Sequence, residues 1–492
     1  SNSSAACSAA APVAPGLGFP GIGFDSVPAA VVPLADAVIV PAGYTARLFV
    51  AWGDPIVAGG AAYLADASQT AAEQIKQFGA HNDGMHFFPF AGSGGTPTGD
   101  RGVLCVNNEY SDEELIHPDG LVGASGYSIA KCRKSQAAHG VSVLEARRAS
   151  NGAWRVVTSS IYGRRLTPNT PMRVSGPAAG HPLLRSNTYT IGDSGSVPTG
   201  AQSDGTTAVG TLNNCANGIT PWGTYLTCEE NWNGYFGSNA PAADPNFIGT
   251  VQTNGTTTYA PNRNTETGKN YNRYGVSTVG FGYRWHTVDP RFDVSVNPNE
   301  SNLFGWVVEI DPYNPAARPV KRTALGRFKH ESAQYVVDSA NRVAFYLGDD
   351  ERNEYVYKFA CAGTFDAANR TANRDLLDSG VLYVARFDAN GTGTWVALQP
   401  GTLGAGGVPL RDNPNFLGAN DAEVQAKILI KTRMAADAVG ATMMDRPEWI
   451  AVNELTREVV VTLTNNVDRG KPGFPATDAA NPRANNLLGQ IV

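Results

Sequence analysis

The chain has 492 residues, 42% of them hydrophobic, which suffices for one large core or two ordinary ones and excludes wholesale disorder. A formal charge of −6 excludes a broad nucleic-acid-binding surface, which needs clustered Lys and Arg, but leaves room for a small anionic substrate held through bound cations. No run approaches the roughly 18 apolar residues of a membrane span, since residues 27–40 are broken by Pro28, Pro33 and Asp36.

In chain order, residues 1–7 carry no charged leader region and do not read as an intact signal peptide. Residues 1–37 are therefore expected to form an N-terminal arm or the remnant of a processed leader, ahead of a single domain over 38–492. From Val38 onward, short segments rich in aromatic and β-branched residues, bounded by Gly, Asp, Asn or Pro, predict strands at 44–50, 102–106, 154–157, 303–309, 343–348 and 381–387. The polar tracts 192–210 and 233–272 predict surface loops, with a decorative polar insert around 237–275. Helices are expected only at 66–77 and at 419–439, the second stopping before Gly440. With 54 Gly and 31 Pro, the pattern indicates a large all-β protein with few helices. A β-propeller is permitted, but no blade period is visible, and a double sheet or a barrel with inserts stays open. Six scattered cysteines (Cys7, Cys105, Cys132, Cys215, Cys228, Cys361) without a CxxC pair predict one disulfide or none and exclude a compact zinc finger.

The densest polar constellation joins His330-Glu331, Asp349-Asp350-Glu351-Arg352 and Asp445-Arg446-Pro447-Glu448. Three adjacent acids after the apolar run 343–347 repel one another unless cations or arginines offset them. Such oxygen-rich groups suit hard ions such as calcium, magnesium or ferric iron. The alternative is a strand-end turn whose acids pair with Arg352, Arg342 and Lys358. A second cluster holds Cys215 in a Gly/Asn loop and Cys228-Glu229-Glu230-Asn231 after an apolar stretch. A thiolate beside carboxylates favours a softer or more highly charged metal than calcium alone. Cys215 is the preferred ligand and Cys228 a packed thiol, although an ordinary buried cysteine remains open for either. Asp83 and Glu109 lie at turns that could bind cations or simply be solvated, and His139 reads as structural. HExxH, GxxxxGK[ST], GxSxG and EF-hand patterns are absent, and the seven histidines are dispersed.

Several stretches together resemble the PhoX-type bacterial alkaline phosphatases: HNDGM (81–85), NNEY (107–110), HGVSV (139–143), TPM (170–172) and GPAAGH (176–181). More specific are the run 211–236 from TLNNCANG to NWNGYF, GWVVEIDP (305–312), ALGRFKHE (324–331), YLGDDERNEYVYKF (346–359) and MDRPEWI (444–450). The resemblance spans roughly residues 40 to 470. It implies a periplasmic or secreted phosphomonoesterase exported by the twin-arginine route, with a six-bladed β-propeller-like fold and long loop insertions. It also implies a cofactor of calcium and ferric iron, with Cys215 as thiolate ligand and Glu230, Glu331, Asp350 and Glu448 as principal carboxylate ligands. Glu109, Glu229 and Asp349 are further candidate ligands. Arg446 is the implied phosphate-binding group, and Arg352 clamps phosphate or orients the neighbouring acids.

The expected reaction is hydrolysis of small phosphate monoesters to inorganic phosphate, with metal-bound oxygen as nucleophile, by a monomer without a nucleic-acid surface or membrane span. A phosphodiesterase, phosphotriesterase or phytase-like enzyme on the same cluster is the first alternative. A non-catalytic, calcium-stabilised propeller acting as a binding module is the second; the contexts of Cys215 and Arg446 favour catalysis over it.

Overall fold

The computed structural model describes Gly23, Val27, residues 38–92 and residues 95–492. The chain divides into two units, residues 1–49 and 50–492. Apart from Gly23 and Val27, the expected N-terminal arm lies outside the described residues, as does Cys7. In the first unit, Tyr44 closes a turn on the Pro41 carbonyl at 3.1 Å, and its hydroxyl donates to the Gly23 carbonyl at 2.9 Å. The strand expected at 44–50 is not formed among the described residues.

The second unit is built from antiparallel meanders taken in chain order. The first sheet runs Asn82–Ala91, Pro97–Asn108 and Gly140–Arg148, with Trp154–Val156 and Arg164–Leu166 sharing the outer edge of the third strand. The second runs Asn214–Ile219, Tyr225–Glu229, Val307–Ile310 and Val320–Arg322, and continues through the parallel neighbour Pro171–Ser175 to Thr207–Val209. The third runs Gln334–Val337, Arg342–Gly348, Val356–Thr364, Gly380–Phe387 and Gly393–Ala397. The fourth runs Pro447–Val452, Val459–Leu463 and Gln490–Ile491. Strand is the prevailing element, as composition requires, with helices between and over the sheets. The strands expected at 102–106, 154–157, 343–348 and 381–387 are present within a residue or two, or inside longer strands.

Alternating apolar positions bury one sheet against the next. Phe88, Val103 and Val143 of the first sheet meet Tyr225, Val308 and Ile310 of the second. Leu226 and Val307 of the second join Phe345, Leu347 and Phe359 of the third, under Val424, Ile428 and Met434 from two helices. Val356 and Ala385 of the third pack with Ile450, Val461 and Leu463 of the fourth. Each such side chain withdraws apolar surface worth about 1.5–3 kcal/mol from water, so the cores hold successive sheets in a fixed order.

The helix expected over 419–439 forms as Asp421–Ile430 and Thr432–Ala438, interrupted at Lys431. That over 66–77 shrinks to Ala71–Gln74, started by a Thr70/Glu73 capping box; upstream, the Asp66 carboxylate instead accepts from Ser68 N–H and holds a turn. The polar tract 233–272 is not a loop alone. It folds into the ribbon Phe247–Val251/Thr257–Pro261 and the helix Glu266–Tyr274. Tyr235, Phe236, Phe247, Tyr271, Tyr274 and Trp285 give it an aromatic core that its polar background conceals. Tract 192–210 likewise carries the hairpin Asn187–Gly192/Gly195–Gln202. Cys105, Cys132, Cys215, Cys228 and Cys361 are all free thiols.

Candidate metal centre and phosphate cleft

The first strands of the first, second and fourth sheets carry the site where their pairing is irregular. The ladder shifts register between Asn82 and Met85, between Asn214 and Asn217, and between Pro447 and Ile450. Those shifts fall on Asp83, Cys215 and Glu448. A bulge turns a side chain out of the strict alternation of a strand, which frees these three from the core they would otherwise enter. Glu331 and Asp350 arrive differently. Segment 329–331 pairs with 348–350 through an isolated bridge between His330 and Asp349. Glu331 N–H donates to the Gly348 carbonyl at 3.0 Å and Asp350 N–H to the Lys329 carbonyl at 3.0 Å.

Two glycines let these strands approach. A Cβ on Gly84 would lie 2.7 Å from the backbone nitrogen of Asn217, and one on Gly218 only 1.9 Å from the carbonyl oxygen of Ala333. The strand bearing Cys215 is thus wedged between those leading from Asp83 and from Glu331, at distances only a missing side chain permits. Asn107 pins its bulge by donating to the Cys215 and Ala216 carbonyls at 2.6 and 2.9 Å, while accepting from Tyr225 and Thr227 hydroxyls at 3.0 and 2.8 Å.

The result is a thiol ringed by acids. Cys215 Sγ lies 2.8 Å from Asp83 Oδ2 and 3.2 Å from Glu331 Oε1. Donor atoms of Asp83, Glu109 and Cys215 lie within 4.8 Å of one another, as do those of Cys215, Glu230 and Glu331. Cys215 therefore belongs to two potential coordination groups. Burial, then the charges of Glu331, Glu230, Glu109 and Asp83, push its thiol far above the usual range. Burial raises Glu230, Glu331 and Asp350 as well, and Glu109 is pushed up to about 7 by burial and the neighbouring Asp83 and Asp350.

These features fit a bound cation cluster. Glu331 Oε2 is buried without a hydrogen-bond partner. An orphaned carboxylate oxygen costs several kcal/mol unless a positive charge meets it, and here the nearest protein neighbours are other acids and a thiol. Several oxygens with one sulfur suit hard cations together with a metal that also accepts thiolate.

Arg446 borders the acids. Its Nε and Nη2 hold Asp350 at 2.9 and 2.8 Å, and Nη2 lies 3.2 Å from Glu448. It adopts a left-handed backbone (φ 60°), uncommon for a non-glycine residue. Asp350, Glu230 and Arg446 open onto a cleft of about 570 Å³, walled further by Lys329, Arg352 and Phe281. Arg352 is partly exposed there and pairs with Asp468 at 2.9 Å.

Two sequence candidates lie in other polar nests. Glu229 is fully buried, pairs with Lys321 at 2.6 Å and accepts from Gly305 and Trp306 N–H. Asp349 is gripped by Arg433, whose guanidinium also holds Glu351 at 2.9 Å. Neither belongs to the two thiol-centred groups. Asp83 does, and its context at a strand bulge in HNDGM was the available signal. Cys228 packs in the apolar core, and His139 is buried between the Ser135 carbonyl and the Tyr235 hydroxyl at 2.7 and 2.9 Å. Among the described residues no helix is long and apolar enough to cross a membrane.

No curated protein matches the chain. A solved structure, Pseudomonas fluorescens PhoX in complex with vanadate, a transition state analogue, is 42% identical. The similarity covers 95% of this chain and 72% of that one, with a TM-score of 0.78. The family described as Alkaline phosphatase PhoX matches residues 24–492. A chain so covered, with a thiol-and-carboxylate cluster beside an arginine, belongs to the PhoX alkaline phosphatase family.

Proposed function

We propose that the protein is a secreted or periplasmic, metal-dependent phosphomonoesterase acting at the cleft between Arg446 and the acids around Cys215. The observation that carries this reading is the convergence of Cys215, Glu230 and Glu331 into a potential ligand group beside Arg446, in a chain whose solved relative binds vanadate as a transition-state analogue. Cys215, Glu109, Glu230, Glu331, Asp350 and Glu448 would hold calcium and ferric iron, the thiol favouring iron and the carboxylates suiting either. Asp83 joins them on distance. Cations bound there supply positive charge to the phosphate oxygens and lower the barrier to displacement.

The side chains of the chain itself do the rest. The guanidinium of Arg446 keeps Nη1 free of any hydrogen bond among the described residues while Nε and Nη2 are anchored on Asp350. That leaves a directional donor for a non-bridging phosphate oxygen, stronger as charge develops on it. Arg352 lines the rim of the same cleft, where Asp468 pairs with it at 2.9 Å. Cys215 is not the nucleophile: its sulfur sits among carboxylates that would repel an incoming phosphate unless ions intervene, and a ligating sulfur is not free to attack.

We further read the four ordered sheets as part of a six-bladed propeller and the protein as a monomer. The sheets follow one another in chain order and meet through their first strands, which supports radial blades.

Elemental analysis of the purified protein with matched monoester and diester assays tests the function. Calcium and iron should be present, monoester turnover should exceed diester turnover, and chelation should abolish both. Faster diester hydrolysis would establish the phosphodiesterase alternative, and calcium retention without any turnover the binding-module one.

A further inference from the structure

Resting on the phosphatase reading, we infer that the outer cleft is a leaving-group subsite for a planar aromatic group, formed by Phe281 and Phe474. Both phenyl rings line the cleft that Arg446 and Asp350 border. They are 57% and 49% exposed, unlike the buried phenylalanines of the cores. Phe281 is held up by its own backbone: the tip Gly280-Phe281-Gly282 has left-handed φ at both glycines (58° and 98°), and Phe281 N–H donates to the Gly234 carbonyl at 2.7 Å. Its ring lies over Gly234, where a Cβ would come 2.2 Å from Cδ2. The surrounding NWNGYF stretch thus keeps a flat seat beneath the ring.

Charge balance chooses between two kinds of leaving group. A cleft selecting a second phosphate or a polyanion needs cations without partners. Here Lys329 faces Glu351 at 3.2 Å, Arg352 faces Asp468 at 2.9 Å, and Arg273 is shared by Glu354 and Asp437. Arg433 is held by Asp349 and Glu351. Apart from Arg446, which faces the phosphate, the cationic walls are neutralised within the protein. The two exposed rings remain as the apolar recognition surface of the cleft, with Lys329 Nζ 6.0 Å from the centre of the Phe281 ring, and an aromatic group stacked on a phenyl face gains attraction that an aliphatic alcohol does not.

Phenylphosphonate and methylphosphonate, which no phosphatase can hydrolyse as esters, separate this subsite from turnover. Calorimetric titration of the metal-loaded full chain should show phenylphosphonate binding about tenfold more tightly. In Phe281→Ala and Phe474→Ala the ratio of the two affinities should fall toward one, and Phe281→Tyr should restore most of it. Phe281→Leu keeps apolar bulk without a π face and should behave like the alanine variant. Equal affinities in the unaltered protein, or a preference that survives both alanine substitutions, would overturn the subsite. Absence of monoester turnover with the preference intact would overturn the phosphatase reading and leave the subsite standing.

Discussion

Arg446 occupies a backbone conformation that side chains with a Cβ rarely adopt, and its guanidinium divides its donors between Asp350 and the open cleft. Removing it should lower kcat/KM for a monoester about a hundredfold, the usual consequence of losing one donor to a developing oxyanion. Since Arg446 also anchors Asp350, the metal content of Arg446→Ala has to be measured beside its kinetics. Retained ions with retained turnover at saturating substrate would remove Arg446 from the transition state. Glu331 makes a different demand. Its Oε2 has no protein partner, so Glu331→Gln should fold, lose bound metal and lose activity in proportion. Full calcium and iron in that variant, measured by elemental analysis, would exclude it as a ligand.

At the scale of elements, the site depends on strands that approach more closely than side chains ordinarily allow. Gly218→Ala would drive a methyl group into the Ala333 carbonyl and separate the Cys215 strand from the Glu331 segment. Metal binding should weaken about 10- to 100-fold, as for other residues that orient ligands, while the buried cores remain intact. Titration of metal-stripped protein measures this directly. The helix Thr432–Ala438 acts from the other side. Its Arg433 is buried and grips Asp349 and Glu351, fixing the loop that carries Asp350. Arg433→Met leaves Asp349 buried without a counter-charge and should cost about 3–5 kcal/mol in denaturant unfolding.

For the molecule as a whole, the acids at its centre couple stability to pH. Burial raises Glu230, Glu331 and Asp350, and carries Glu109 to about 7. The metal-free fold therefore retains protons that the unfolded chain releases above its ordinary carboxyl range. That stability is fully present below about pH 4.5 and is lost as pH rises toward and beyond 7. Glu351, half-exposed at the cleft, is drawn down to about 2 by Arg433 and Lys329, so its contribution disappears only in acid below this window. Metal-stripped protein should melt at a lower temperature at pH 8 than at pH 5, and reloading with calcium and iron should flatten the difference. A metal-free melting temperature that rises over that interval would contradict the burial of these carboxyls.

Much of this architecture was legible in the sequence because strands announce themselves by alternation and turns by Gly, Asn and Asp. The segments near 102–106, 343–348 and 381–387 carried that signal clearly. Residues 129–138 did not: this helix buries Lys131, Arg133 and Lys134 along with its apolar residues, so no apolar stripe marks it. The aromatic core of the insert was hidden by the Gly, Asn and Thr around it. At the site, Cys215, Glu331 and Arg446 were legible because the stretches around them resemble the PhoX family. Which acid of an adjacent pair turns inward was not legible. Glu229 and Glu230 differ by one step along the backbone, and only the tertiary placement of Lys321 decides that the first is drawn away.

The members of the two thiol-centred groups lie as far apart along the polypeptide as Asp83 and Glu331. A ribosome making this protein exposes Cys215 more than a hundred residues before Glu331, the last acid of the two groups that share its sulfur. The group of Asp83, Glu109 and Cys215 is complete within the early half, whereas Cys215, Glu230 and Glu331 meet only when the Glu331 segment has packed, so the shared sulfur passes from one potential ligand set to two as the chain emerges.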